Sequence, residues 1–295
     1  MSCVLFWSGN FVIARFIHED IAPIELVFFR WFGTLLVLSP LLFIQRKKIF
    51  AAIKNHFVIM MSFSLLGISG YNSFVYMGLQ TTTATNALLI NSSVPIMIIF
   101  LSAIILKQKV SIMQVLGILL STVGVVFLVL QGNLGKISSL SFNPGDLWII
   151  AAGLSWALYS VLMKYKPKEL HALEFLTAVV FLGSIVLLFI YLSKGYGISS
   201  GINIVSNNYW VILYMVIFPS ILSYIFWHKG IDEIGAHKTG QFTHLMPIFG
   251  SVLAFLFLGE RLEMFHLMGM ALIGFGIYLS LFLKSKSLIN RVNLD

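Results

Sequence analysis

The chain has 295 residues, of which 59% are hydrophobic and only 10% are charged. A soluble domain carries about a quarter charged residues, so this composition excludes an ordinary soluble protein and indicates a membrane protein with many spans. The formal net charge is +8 at pH 7. The basic residues lie mostly between the apolar segments, which favours a topological explanation of this charge over nucleic-acid binding.

Ten apolar runs follow one another along the chain, and most have the roughly 20 residues that a membrane-spanning helix needs. They cover approximately residues 1–16, 24–44, 57–79, 84–106, 110–130, 147–163, 172–192, 209–227, 239–258 and 262–283. Lipid offers the backbone no hydrogen-bond partners, and the runs lack the strict alternation of barrel strands. We therefore predict an all-α integral membrane protein with ten transmembrane helices.

An internal repeat divides these runs into two halves of five. A shift of 152 residues places Gly78, Ala84, Pro95, Gly117 and Gly124 on Gly230, Ala236, Pro247, Gly269 and Gly276. Nearer the start of each half, a shift of 149 places Trp7 on Trp156 and Glu25 on Glu174, so three extra residues are expected between 194 and 209. We predict a first repeat at 1–131, a second repeat at 144–284 and a cytoplasmic tail at 285–295.

The first run is interpreted as a retained helix, because it lacks the basic segment and cleavage pattern of a signal peptide. It is also short. Six residues precede Trp7, whereas ten separate Asp146 from Trp156, the matching residue of the second half. Either the first helix is truncated or the native start lies upstream of Met1.

An odd number of spans in each repeat makes the second repeat enter the membrane from the opposite side, so the repeats are predicted to be inverted. With ten spans, 14 of the Lys and Arg residues fall on the same side of the membrane as the N-terminus and 4 fall on the opposite side. Since basic loops stay in the cytoplasm, we predict a multi-pass protein of the cell (inner) membrane with both termini cytoplasmic.

Four short motifs occur in order along the chain. They are Trp-Ser-Gly-Asn-Phe at 7–11, Pro-Ile-Glu-Leu-Val-Phe-Phe-Arg at 23–30, the proline-centred fourth and ninth helices, and Leu-Gly-Glu-Arg at 258–261 before a glycine-rich last helix. Together with the duplication, they resemble the drug/metabolite transporter superfamily, of the EamA type with ten helices. The first half departs from the pattern at 107–109, where Lys-Gln-Lys stands in place of Gly-Glu-Arg. The resemblance implies a carrier of small metabolites, often an exporter of amino acids or related solutes.

Polar residues near the middle of the fourth and ninth helices are candidates for solute contacts. Asn91 and Ser92 precede Pro95, and Thr243 and His244 precede Pro247 at the matching depth. Small polar residues in membranes often only hydrogen-bond neighbouring helices, and that alternative stays open for Asn91, Ser92 and Thr243. For His244 a functional role is favoured, since an imidazole in mid-membrane is costly and titrates near neutral pH.

The predicted solute site combines these polar groups with aromatic walls. Its residues are Trp7, Asn10, Asn91, Trp156, Tyr159, Tyr224 and His244. The solute is expected to lean towards the second half, which has the larger groups at matched positions. Trp227 is expected at the cytoplasmic rim, outside the site.

Among the Lys and Arg residues, Arg30 is the only one placed inside a span. Its guanidinium is a candidate clamp for a carboxylate, although a structural role is favoured because its side chain can extend towards the interface. Arg30 and His244 are therefore interpreted as coupling or structural residues. No Asp or Glu falls at the membrane centre, which argues against a metal site or a buried carboxylate relay.

These patterns predict a secondary transporter that exports a small organic metabolite, an amino acid or a related solute, by alternating access, and no cofactor is expected. The alternative is a membrane enzyme acting on a lipid-linked substrate, but the short loops carry no catalytic set. A channel is disfavoured, since no ring of like charges or filter loop repeats. The expected partners are the solute and the bilayer. A homodimer along the glycine faces is compatible with the sequence but not required.

Overall fold

The structure is a computed structural model that describes residues 1–17, 21–197, 205–258 and 261–282. Within these ranges the chain forms helices and connecting loops, without strands. The first five long helical segments are α1 (Ser2–Ile17), α2 (Pro23–Ile44), α3 (Phe57–Leu79), α4 (Ala84–Asn91 continued by Val94–Ile105) and α5 (Ile112–Val129). The next five are α6 (Pro144–Tyr165), α7 (Ala172–Ser193), α8 (Tyr209–Ile234), α9 (Ala236–Gln241, Phe242–Leu245 and Met246–Leu258) and α10 (Met264–Phe282).

These segments fall on the ten predicted runs, and eight of them are long and apolar enough to cross a membrane. The other two are α1 and α9. With 16 residues, α1 is about 24 Å long, short of the roughly 30 Å hydrocarbon core of a bilayer. α9 is interrupted by a 3₁₀ turn at Phe242–Leu245. The predicted all-α, multi-pass membrane architecture is confirmed.

The helices pack in a pattern that is symmetric between the two halves. α2 packs against α7 and α5 against α10, which pairs equivalent helices across the repeats. α1 contacts α8 and α9, while its counterpart α6 contacts α3 and α4. The helix bounds also carry the expected offsets: α2 and α7 begin 149 residues apart, whereas α3 and α8 begin 152 apart. The three extra residues therefore lie between α7 and α8, as predicted.

Two pairs of helices are interrupted at matching positions. A π-helical segment occupies Ser64–Gly70 in α3 and another occupies Val216–Leu222 in α8, again 152 residues apart. The other pair is α4 and α9, which break just before their prolines. In α4 the hydroxyl groups of Ser92 and Ser93 donate to the carbonyls of Leu89 and Ile90, at 2.6 Å each. Side chains thus satisfy backbone acceptors at the break, as an irregular segment in lipid requires.

Glycines allow α5 and α10 to pack closely. A Cβ atom built on Gly117 would lie 2.5 Å from the carbonyl oxygen of Gly276, and one built on Gly276 would be equally close to that of Gly117. The apolar residues Val125, Leu128, Ile273 and Ile277 form a small core beside this contact. These glycines are therefore used for close helix packing within the chain.

A further helix, Arg46–Asn55, fills the connection between α2 and α3 and was not predicted. It buries Ile49, Ala52 and Ile53 against the bundle, and its Lys48 pairs with Glu174 of α7 at 2.6 Å. With ten residues it is too short for the hydropathy pattern of a span. The predicted tail at 285–295 and two residues of the Leu-Gly-Glu-Arg motif, 259–260, lie outside the described residues.

Candidate functional site

A cleft of about 720 Å³, its open mouth included, lies between the two repeats. It is lined by Trp7, Asn10, Arg30, Tyr71, Asn72, Val75, Tyr76, Leu79, Asn91, Val94, Trp156, Tyr224, Thr243 and Met246. The walls extend along α3 as far as its last residue, Leu79, which is 36% exposed. The cleft is therefore open towards the end of the bundle at which α3 ends.

Aromatic rings form the floor of the cleft. The symmetric residues Trp7 and Trp156 meet edge to face with their ring centroids 5.2 Å apart. Tyr224 lies 5.5 Å from Trp156, and Tyr71 lies 5.1 Å from the same ring. The indole nitrogen of Trp7 donates to the carbonyl oxygen of Pro219 at 3.0 Å, and the Tyr224 hydroxyl donates to that of Gly67 at 2.6 Å. Since both acceptors lie in the π-helical segments, those segments fix the orientation of the rings.

Arg30 reaches the cleft from α2 and is only 3% exposed. Its Nε donates to Ser220 Oγ at 2.7 Å, Nη1 donates to Asn72 Oδ1 at 3.1 Å, and Nη2 donates to the Pro219 carbonyl at 3.3 Å. The guanidinium also lies 5.0 Å from the ring centroid of Trp31. Asn72 follows the π-helical segment of α3, and Pro219 and Ser220 lie within that of α8. Arg30 therefore joins the two interruptions.

The polar rim of the cleft comes from α1, α4 and α9. Asn10 of α1 is partly buried, and its Oδ1 has no hydrogen-bond partner in the described part of the chain. Asn91 and Thr243 occupy matched positions in α4 and α9 and line the cleft together. The Thr243 hydroxyl donates to the Gly240 carbonyl at 2.8 Å. Asn10 and Asn91 are thus the neutral groups best placed to meet a polar solute.

Beneath the floor, side chains close the other end of the bundle. Tyr159 stacks on Trp156 at 5.2 Å, and its hydroxyl is hydrogen-bonded to His228 Nε2 at 2.6 Å. Trp227 packs 5.2 Å from Trp7 and donates from Nε1 to Ser160 Oγ. All of these groups except Trp7 are at most 4% exposed. The expectation that Trp227 lies at a rim is wrong, because its ring is enclosed by the two symmetric tryptophans.

His244 lies beside the cleft, at the crossing of α4 and α9. Its Nε2 is 2.9 Å from the carbonyl oxygen of Ser92, the residue matched to it in the first repeat, and its Nδ1 is 2.7 Å from Ser121 Oγ of α5. It lines a separate, smaller cavity of about 310 Å³ that shares Asn91, Thr243 and Met246 with the cleft. Both ring nitrogens are therefore engaged by the protein in this conformation.

The structure brings together five of the seven predicted site residues: Trp7, Asn10, Asn91, Trp156 and Tyr224. Tyr159 supports the floor from below, and His244 faces the neighbouring cavity. Ten of the fourteen lining residues belong to the first repeat, whereas the sequence led us to expect a bias towards the second. Thr243 was a candidate that the predicted site left out, and Tyr71 and Tyr76 were not selected from the sequence. The 152-residue shift also places Asn72 on Tyr224, which was the one available signal for this part of α3.

In the described ranges, no three His, Cys, Asp or Glu side chains come close enough to hold a metal ion. What the arrangement offers is a recognition surface with a cation, neutral amides and aromatic rings. Such groups can bind a solute through charge, hydrogen bonds and ring contacts.

Comparison with known proteins agrees with this description. The model of the EamA-like transporter family matches residues 1–130 and 143–282. The uncharacterized transporter YyaM of Bacillus subtilis is 33% identical over 213 residues, which is 72% of this chain and 69% of that protein. An uncharacterized transporter of Archaeoglobus fulgidus is 26% identical over 94% of both chains.

A solved crystal structure shares the fold with a TM-score of 0.72, covering 95% of this chain and 94% of that one at 16% sequence identity. The fold, the paired interruptions and the cleft between the repeats thus accompany a family match that spans both halves. The chain belongs to the EamA-like transporter family.

Proposed function

We propose that this protein is a secondary transporter that exports a small organic metabolite, an amino acid or a related solute, by alternating access. The observation that carries the proposal is a cleft between two symmetric repeats that is open at one end and closed by packed aromatic rings at the other. A carrier needs a central site that opens to one side at a time.

The matched interruptions support the motion as well as the site. The contacts of α1 with α8 and α9 correspond to the contacts of α6 with α3 and α4. The two sets are exchanged when one repeat is superimposed on the other. A conformation in which the repeats swap these arrangements would close the present mouth and open the other end. Rocking between two such states is the physical basis of alternating access in inverted-repeat carriers.

The transport test uses purified protein in liposomes loaded with labelled amino acids. We expect counterflow of at least one of them, recovered chemically unchanged, and none in protein-free liposomes. Trp156→Ala should slow this transport about tenfold, since a buried aromatic pair contributes roughly 0.5–1.5 kcal/mol beyond area burial. Trp148→Ala is the matched control, because Trp148 lies on the same helix but is 39% exposed on the outside of the bundle.

Equal loss in both tryptophan variants would place the solute outside the cleft. Conversion of the solute, with no accumulation of the original compound, would favour the alternative of an enzyme acting on a membrane substrate.

The orientation belongs to the same proposal: a cell (inner) membrane protein with both termini cytoplasmic and the cleft facing outward. It is supported by the 14 to 4 distribution of basic residues. A cysteine placed at Lys54 should react with an impermeant reagent only from the cytoplasm, and one at Lys136 only from outside. Both side chains are exposed. Labelling of the two positions from the same side would contradict five spans per repeat.

A further inference from the structure

We infer that the cleft selects organic carboxylates and that Arg30 binds the carboxylate group of the solute. This inference rests on the proposed function and specifies its substrate class. It starts from the charge of Arg30, a permanent cation that is 3% exposed. A buried charge is costly unless an opposite charge or strong hydrogen bonds compensate for it.

The protein compensates for this charge only in part. Among the described residues, no Asp or Glu lies within ion-pair distance of Arg30, and its three hydrogen bonds go to a hydroxyl, an amide and a backbone carbonyl. Other buried or half-buried acids are engaged elsewhere. Asp146 accepts from Thr82 and Asn86, and Glu174 accepts from Lys48. The cleft therefore has a positive charge on its wall without a described carboxylate opposite it.

The guanidinium also has hydrogen-bonding capacity left. An arginine has five N–H donors, and the three hydrogen bonds leave one N–H on each terminal nitrogen, Nη1 and Nη2. Each of these N–H groups can donate to a carboxylate oxygen. Because Ser220 holds Nε and Asn72 holds Nη1, the group is positioned before a solute arrives.

The rest of the cleft indicates what the carboxylate is attached to. The rings of Trp7, Trp156 and Tyr71 surround the floor, so a flat or branched apolar body would fill the space beside Arg30. The unpartnered Oδ1 of Asn10 accepts a hydrogen bond, which an amino group on the solute would donate. The shared chemistry is a carboxylate on an apolar body, with or without an amino group.

The test measures the affinity of the purified protein for matched acids and amides, by the rise in unfolding midpoint with ligand concentration. The pairs are L-phenylalanine with L-phenylalanine amide, and phenylpropionate with phenylpropionamide. We expect binding of at least one acid and at least about tenfold weaker binding of its amide, the lower end for a charge-assisted hydrogen bond. Comparison of the two acids shows whether the amino group contributes.

The decisive variant is Asn72→Asp, which places a carboxylate 3.1 Å from Nη1 in a side chain of the same size. The new carboxylate should pair with Arg30 and compensate for its charge. Binding of the acids should then weaken at least about tenfold, while binding of the amides should change little. Asn55→Asp, at an exposed position outside the cleft lining, adds the same charge and should leave the binding of acids and of amides unchanged. Arg30→Lys keeps the charge but loses the paired donors, so it should weaken acid binding by a smaller factor.

Amides that bind as well as their acids would overturn the inference, as would acid binding that survives in Asn72→Asp. If Asn72→Asp does not fold, unchanged acid binding in Arg30→Lys overturns it instead. The transport assay separates this result from the proposed function. Transport of the amides but not of the acids would support the proposed transporter and contradict the carboxylate site. Arg30-dependent binding of acids without any transport would support the carboxylate site and contradict the proposed transporter.

Discussion

Two buried basic side chains lie close to the middle of this protein, and their surroundings differ. At the crossing of α4 and α9, both ring nitrogens of His244 meet protein partners, Ser92 and Ser121. At the wall of the cleft, Arg30 has three neutral partners and donors to spare. The crossing is a completed hydrogen-bond network, whereas the cleft wall is an incomplete one.

With the carboxylate site inferred above, this difference would separate a structural polar group from a recognition group. Burial alone does not distinguish them, since His244 is 1% exposed and Arg30 is 3% exposed. What distinguishes them is whether the protein itself satisfies the group. A satisfied network stabilises one arrangement of helices, while unsatisfied donors on a cavity wall are available to a ligand.

The largest expected effect concerns stability at the crossing. His244→Ala removes two hydrogen bonds and leaves a cavity between α4, α5 and α9, so it should lower the free energy of unfolding by on the order of 2–4 kcal/mol. His56→Ala serves as the control, because the His56 side chain contacts Glu169 only at the surface, at 3.0 Å, and its loss should cost less than about 1 kcal/mol. Denaturant unfolding in detergent measures both.

A loss at His244 no greater than that at His56 would break the comparison, since the crossing would then be no more stabilising than a surface contact.

The smallest expected effect concerns the pH dependence of transport. A glutamine at 244 donates and accepts through its amide, so His244→Gln retains both kinds of hydrogen bond but cannot titrate. If the histidine only holds the helices together, the pH profile of transport should be unchanged. A flattened pH profile in a folded variant would instead indicate that His244 couples transport to protons, as its predicted depth in the membrane suggests.

Much of the fold could be predicted because lipid constrains it strongly. Spans must be helical and about 20 residues long, and the duplication then fixed both the grouping and the meeting of Trp7 with Trp156. The Arg46–Asn55 helix could not be predicted from a pattern typical of a span. It is stabilised by the packing of Ile49 and Ile53 on the bundle.

The site was harder to predict because contacts within it depend on helix rotation. The π-helical segment of α3 ends at Gly70, directly before Tyr71 and Asn72. An ordinary α-helix advances about 100° per residue, so a wider turn changes which face the following residues present. A count of 3.6 residues per turn therefore misplaces them. Trp227 was misplaced for a related reason: its position near the end of α8, two residues before Lys229, does not show which side chains of other helices enclose it.

The two π-helical segments lie at the same point of the two repeats and leave the alignment of the repeats unchanged. Helices α3 and α8 begin 152 residues apart, at Phe57 and Tyr209, and the same offset holds beyond the wide turns, at Tyr71 and Ser223. Had an extra residue entered only one copy after duplication, the offset would change across the turn. The local sequences, Ser-Leu-Leu-Gly-Ile-Ser-Gly and Val-Ile-Phe-Pro-Ser-Ile-Leu, have since diverged. Each repeat therefore contains a wide turn at the same place, and the residues beyond it stay matched between the repeats despite the different local sequences.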